Sequence, residues 1–348
     1  MRHGFSFAAA AVSSLTIAAL LGVALIGVRS ARRGEITVTD ARTPSLEPVV
    51  VGVDSSTAAR AAARWAAAVA EKQGTTLHLV HAPPPPVSYA EPRPLPSEDE
   101  DRIAAETFLA GALRGIRADR RALAVECSSP TGSTAADILL PLADSASMVV
   151  IGSTARGPVE GYLNATALRL AHHSPCPVVV WRGAEHQAIP DRRAVVVGVD
   201  GSRCSVAAVA DAVQFAGRFD APLIAVHSWR SDFPRDTENE AVGVGACQRE
   251  GAVLAESLVG WVERYPDVVV RKIVESGGAG EVLLRWCEDA QLLVVGSHGH
   301  GALGRAILGS TSQHMLHRAR CPVMISKVYR DTGTVHDRAT EFGDRGHR

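Results

Sequence analysis

The chain of 348 residues has no excess of basic charge: 36 Lys and Arg stand against 37 Asp and Glu, for a formal net charge of −1. A general nucleic-acid binder concentrates positive charge, so that class is set aside. Its six cysteines, at positions 127, 176, 204, 247, 287 and 321, include no C-x-x-C pair, which removes zinc ribbons and thioredoxin-type redox motifs. Six dispersed cysteines over this length do not make a secreted disulfide scaffold, and a reducing, cytosolic compartment is expected for the folded part. There is no G-x-x-x-x-G-K-[ST] sequence, hence no Walker A loop. The first strand–helix junction also lacks the G-x-G-x-x-G of dinucleotide folds. Five tryptophans, Trp65, Trp181, Trp229, Trp261 and Trp286, form no stacking array and read as core or interface residues. Apolar residues, by contrast, are abundant at 46%, enough for substantial cores, and the length suggests two domains at roughly 100–200 residues each.

One segment stands apart. From Phe5 to Val28 no residue is charged, and at about 1.5 Å per residue a helix of that length crosses a bilayer core of about 30 Å. Arg2 precedes the run, while Arg29, Arg32 and Arg33 follow it. The positive-inside rule then places the rest of the chain in the cytoplasm, anchored to the inner face of the membrane by residues 5–28. A cleaved signal peptide would have a shorter apolar region and a small-x-small site, which is not found here. A signal-like segment and a start codon upstream of the true one are the alternatives for residues 1–33.

The rest of the chain is a duplication. Pro48-Val49-Val50-Val51-Gly52-Val53-Asp54 returns as Ala194-Val195-Val196-Val197-Gly198-Val199-Asp200. Met148-Val149-Val150-Ile151-Gly152-Ser153 returns as Leu292-Leu293-Val294-Val295-Gly296-Ser297, and Cys176-Pro177-Val178 as Cys321-Pro322-Val323. Three matches in order, each about 145 residues apart, mark a repeated domain-sized unit. The boundaries expected are 1–33 for the apolar segment, 46–184 and 192–330 for the two units, and 331–348 for a polar, aperiodic tail read as disordered.

Strands and helices alternate within each unit. Strands are expected over 49–53, 76–81, 123–127, 148–151 and 178–181, with helices over 58–72, 106–120, 135–143 and 163–172 between them. The second unit repeats this with strands over 195–199, 223–227, 268–274, 292–295 and 323–327, and helices over 202–219, 250–264, 280–290 and 310–318. Continuous β-branched strands alternating with helices imply a parallel sheet covered on both faces. The stretch 82–101 carries seven prolines and reads as a surface loop.

The chemistry-bearing motif lies in the second unit. After the strand over 292–295 comes Gly296-Ser297-His298-Gly299, and then Gly309-Ser310-Thr311 at the start of a helix. This is G-x2-G-x9-G-S. Glycines let the backbone approach a phosphate, and a helix N-terminus attracts anions. In open α/β sheets ligands bind at the carboxyl ends of the strands.

With V-G-V-D-[GS]-S on the first strand, the late G-x2-G-x9-G-S and the closing C-P-V, the chain resembles the universal stress protein family in its tandem form, over about four-fifths of its length. The resemblance implies an α/β fold: two tandem open five-stranded parallel sheets with helices on both faces, related to adenine-nucleotide α-hydrolases. It implies ATP, with or without Mg²⁺, bound without a classical P-loop. Asp200 would then sit by the adenosine, Ser228 just after the second strand would offer backbone to adenine, and Gly296, Gly299, Gly309, Ser310 and Thr311 would hold ribose and phosphates. Asp200 has an alternative as a helix N-cap, and the two are compatible. The last strands of the units are candidates for intramolecular or homodimeric pairing.

The first unit departs from this pattern. Asn164 falls opposite Gly309 and Ala165 opposite Ser310; Thr154 or Ala155 replaces Gly299, and Glu160 adds negative charge near Arg156. The corresponding residues Asp54, Ala82 and Gly152 are therefore expected to form a weaker site or none. His298, His300, His314 and His317 read as phosphate contacts or exposed residues rather than metal ligands, with no acidic residue or cysteine to complete a site. Cys176 and Cys321 read as buried structural thiols. The expected function is nucleotide sensing by an ATP-binding regulatory protein with at most slow hydrolysis, acting on an unidentified protein partner. A membrane-tethered adaptor without nucleotide and an ATP-using transferase are the alternatives. A transferase needs a lysine or carboxylates over the phosphates, and the loop has neither.

Overall fold

A computed structural model of the chain describes residues 27–28, 38–39, 47–81, 98–130, 134–153, 165–183, 188–229, 240–299 and 308–328. They fall into two compact units, 1–153 with 184–189 and 154–183 with 190–348. The apolar run up to residue 26, most of the proline-rich loop and the tail from residue 329 lie outside the described residues. Gly27–Val28, the last two residues of the apolar run expected to be helical, form instead a short strand that pairs antiparallel with Val38–Thr39. Among the described residues no helix is long and apolar enough to cross a membrane.

In the first unit, β1 (Val49–Val53) leads through α1 (Thr57–Gln73) to β2 (Leu77–His81), then α2 (Glu98–Asp119), β3 (Val125–Ser128), α3 (Ala135–Ala143) and β4 (Met148–Gly152). The strands lie parallel in the order β3-β2-β1-β4, with Val49 opposite both Leu77 and Met148. Val49, Val50, Val51 and Val53 are all buried, as a strand covered on both faces requires. Ser56 caps α1 by accepting from the Ala59 N–H at 3.0 Å, and Asp54 accepts from the Ser56 N–H at 2.9 Å. Gly74, at φ 68°, ends the helix in the left-handed conformation that glycine adopts freely. The alanine-rich face of α1 lies close on the sheet. Helix α2 begins at Glu98, inside the stretch expected to be loop. Pro141 sits in the last turn of α3, which ends two residues later.

The second unit contains α4 (Ala165–His173) and β5 (Val178–Trp181). It continues with β6 (Val195–Val199), α5 (Arg203–Arg218), β7 (Leu223–Trp229), α6 (Glu240–Ser257), α7 (Trp261–Arg264), β8 (Val270–Ser276), α8 (Ala279–Trp286), β9 (Leu292–Gly296), α9 (Ser310–Arg318) and β10 (Val323–Ser326). Five strands run parallel in the order β8-β7-β6-β9-β10. On the outer edge of β10 lies β5, antiparallel, with Val180 opposite Val323 and Val178 opposite Ile325. The two closing strands thus pair within one chain, and the open edge that β10 would present is covered. The helix expected over 250–264 is two helices, because Gly260 adopts φ 76° between α6 and α7.

Two buried cations secure the β5–β10 region. Arg182, just past β5, donates to the carbonyl of Ala319 at the end of α9, and Lys327, just past β10, donates to the carbonyl of Ala171 in the last turn of α4. Each satisfies a helix C-terminal carbonyl and places positive charge at the negative end of a helix dipole.

Candidate functional site

The first strand of the second unit, β6, has β7 on one side and β9 on the other, so the chain's crossovers leave it in opposite directions. At the carboxyl ends of these strands, where open α/β sheets bind ligands, lies a cavity of about 640 Å³. Its lining includes Gly198 and Val199 from β6 with Asp200 just past it, Val226 and Ser228 from β7, Val295 and Gly296 from β9, and His298 and Gly299 just beyond β9. The rest of the wall comes from Leu308, Gly309 and the first residues of α9, with Ala279 and Leu283 of α8. All seven second-unit residues singled out from the sequence, Asp200, Ser228, Gly296, Gly299, Gly309, Ser310 and Thr311, therefore converge on one space.

Each reaches that space by a local cause. Asp200 accepts from the Ser202 N–H at 2.9 Å, and Ser202 in turn caps α5 by accepting from the Ser205 N–H at 3.2 Å. The N-cap is Ser202, and Asp200 shapes the turn before it. A Cβ on Gly299 would stand 2.5 Å from Asp200 Oδ2, so a glycine there lets the loop close over the carboxylate. Ser228 lies inside β7, opposite Glu275 of β8, because the strand runs two residues further than the expected end at 227. Gly309 is held to the strand end by its N–H, which donates to the Ser297 carbonyl at 2.8 Å. It stands as the N-cap of α9 with φ −62° and ψ 150°, and no side chain caps that helix. The first N–H groups of α9 are thus left for a ligand.

Gly296 has a different duty. A Cβ there would lie 2.7 Å from the carbonyl carbon of Cys204, so this glycine is needed where β9 passes the first turn of α5. Gly152 at the end of β4 is its counterpart: a Cβ would meet the Ala58 carbonyl at 2.4 Å. In the first unit Asp54 repeats the turn role of Asp200. Gly152 belongs to the first unit and Ala165, exposed at the start of α4, to the second. Ala82, Thr154, Ala155, Arg156, Glu160 and Asn164 lie outside the described residues.

Several groups near the cavity were not legible as a motif. His227 is buried; its Nδ1 lies 2.7 Å from the Val199 carbonyl and its Nε2 2.7 Å from Glu250 of α6. Lys327 is 8% exposed, and burial pulls its ammonium down to about 8. His298 is held below the usual imidazole range, first by burial and then by the charges of Lys327 and His172. His314 and His317 lie on α9, and His300 is outside the described residues; among the described residues no group of three or more His, Cys, Asp or Glu could hold a metal. Cys176 and Cys321 are buried. A hydrogen bond with Cys287, then burial, raises the Cys321 thiol well above its ordinary value.

The lining suits a compact anionic ligand with an apolar part: Val226, Leu283 and Leu308 on one side, helix N–H groups, hydroxyls and an imidazole on the other. The volume falls within the roughly 300–1,000 Å³ of small-molecule sites.

Comparison with known proteins agrees with the duplication. The profile of the "Universal stress protein family" matches residues 46–182 and 191–327. Universal stress protein Rv2005c of Mycobacterium tuberculosis is 39% identical over 289 residues, covering 80% of this chain and 96% of that protein. Universal stress protein Rv1996 of the same organism is 32% identical over 303 residues, covering 81% and 96%. Among solved structures, a universal stress protein from Archaeoglobus fulgidus superposes with a TM-score of 0.59 at 19% identity, covering 82% of this chain and 99% of that one. With two matches to the family profile and these relatives along most of its length, the chain belongs to the universal stress protein family.

Proposed function

We propose that the protein is an ATP-binding regulatory member of its family, with one nucleotide held by the second unit and little or no turnover. The observation that supports this most is the convergence of the Gly299 turn, the uncapped start of α9 and Asp200 with Ser228 around one cavity. Adenosine would lie toward Asp200 and Ser228; ribose and phosphates would lie toward Gly299, Gly309, Ser310 and Thr311. Bound ATP, with or without Mg²⁺, supplies the anionic group that the start of α9 is built to receive. The carboxylate at this cavity, Asp200, is engaged with the Ser202 N–H, an arrangement suited to holding a turn rather than to general-base work. A partner would then distinguish the ATP-loaded protein from the empty one.

Calorimetry with ATP should give a stoichiometry near one per chain, since Gly152 serves helix–strand packing and the Gly309-Ser310 pair has no counterpart in the first unit's sequence. Two equal sites would overturn the assignment of a single functional unit. No binding, with no nucleotide released on denaturation, would favour the membrane-tethered adaptor. Multiple turnovers with ATP and Mg²⁺ would favour the transferase.

Residues 5–28 are proposed to anchor the chain with both units on the cytoplasmic side. Fractionation of cells expressing the full chain should leave it with membranes. Recovery wholly in the soluble fraction, beginning after residue 33, would overturn the anchor.

A further inference from the structure

One buried atom at the cavity has no partner among the described residues. His298 lines the cavity, and its Nδ1 is engaged by Ser297 Oγ at 2.8 Å. Its Nε2 is buried without a hydrogen-bond partner among the described residues. A ring nitrogen hidden from both water and protein costs free energy in the empty site, and a ligand atom that meets it recovers that cost.

The surroundings set the sign of that ligand atom. The uncapped start of α9 faces the same cavity. Lys327 beyond β10 and His172 on α4 face the ring electrostatically, and Cys204 on α5 has its Sγ 4.0 Å from Nδ1. The carboxylate nearby is Asp200, beside Gly299 and tied to Ser202. This is a predominantly positive setting with a turn-bound carboxylate at its margin. Burial, then Lys327 and His172, keep the empty-site ring below its ordinary range, so at neutral pH it is uncharged.

We propose that His298 Nε2 receives a phosphate oxygen of the nucleotide and takes up one proton from solvent as it does so, which makes ATP binding pH-linked. This rests on the nucleotide reading above. The proton fills the Nε2 lone pair, the new N–H donates to the phosphate, and no other bond changes. An adjacent anion favours the charged ring, so affinity rises as pH falls from the liganded ring's range to the empty ring's, and levels off below it. In the first repeat Gly152-Ser153 is followed by Thr154-Ala155-Arg156, with no histidine, so the device belongs to one unit.

The test is calorimetry of ATP binding to the full chain near neutral pH, in PIPES and in imidazole, whose ionisation heats differ, and then across the range from acid to mildly alkaline pH. Wild type should show a buffer-dependent heat signifying proton uptake. His298→Asn keeps a polar group near Ser297 but cannot reach the Nε2 position; it should lose the uptake and bind about tenfold more weakly at mildly acid pH, with a smaller loss in alkali. His298→Gln should recover part of the affinity without the uptake, because its amide reaches further but does not titrate. The nucleotide's own phosphate ionisation is common to all three proteins and cancels in the comparison. ATP binding with the same affinity and the same buffer dependence in all three would overturn the role of His298 and leave the nucleotide reading standing. No ATP binding by wild type at any pH would overturn both.

Discussion

Gly309→Ala with Ser310→Ala should abolish tight ATP binding and leave the apo melting temperature nearly unchanged. Gly309 has φ −62°, a conformation open to any residue, and a Cβ there would make ordinary contacts at 3.5 Å with His298 Cα and the Ser297 carbonyl. The empty fold therefore accepts alanine, and what the methyl obstructs is a ligand approaching the start of α9. Ser310 contributes a hydroxyl at the same place. Losing one or two charge-assisted hydrogen bonds costs about 1.5–3 kcal/mol each, or roughly tenfold to a hundredfold in affinity per bond. Gly296→Ala is the control with the opposite expectation. Its Cβ would press on the Cys204 backbone at 2.7 Å, which no rotamer change relieves, so the apo protein should lose about 1–3 kcal/mol or more. The checks are ATP affinity and apo melting of the three proteins. Unchanged affinity in the double variant would move the phosphate site elsewhere, and a collapsed melt would assign Gly309 and Ser310 to the fold.

That contrast shows what a motif conveys and what it leaves out. The spacing G-x2-G-x9-G-S picked out residues that line one cavity, because the strand end and the helix start lie side by side in the fold. It could not separate a glycine required by a neighbouring helix, as at 296 and 152, from one that leaves room for a ligand, as at 309; that depends on α5 and α1, far away in sequence. The valine-rich strands β1 and β6 were legible because continuous β-branched runs have few other stable fates. The division at Gly260 was not, since a single glycine inside a helical pattern is often tolerated. The start of α2 at Glu98 was not legible because prolines extend to Pro96, and proline at that density argues against a helix. Ser228 was placed just beyond a strand that in fact continues through it to Trp229, paired along its length with β8. His227 and Glu250 carry no motif at all: they meet because α6 packs across β7 and β8.

The segment 296–311 holds no lysine, yet the fold supplies one nearby, since β10 ends beside β9 and brings Lys327 near His298. Lys327 should make the protein gain stability as the solution becomes alkaline. Its ammonium, 8% exposed, is drawn down by burial from 10.5 to about 8 in the folded chain. The folded state therefore holds this proton less firmly than the unfolded state. Below about 8 the lysine is charged in both states, and the full cost of burying the charge weighs on folding. Between about 8 and 10.5 the folded chain releases a proton that the unfolded chain keeps, and stability rises with pH through that window. A shift of this size corresponds to about 2 kcal/mol between neutral pH and about pH 10. Lys327→Met removes the titration, and with it the donor to the Ala171 carbonyl, a loss worth about 1–3 kcal/mol that stays constant with pH. Denaturant unfolding of both proteins across this range should show the stability of wild type climbing relative to the variant. Parallel curves would mean that Lys327 keeps an ordinary ammonium in the folded state, and would withdraw it as a buried positive charge near His298.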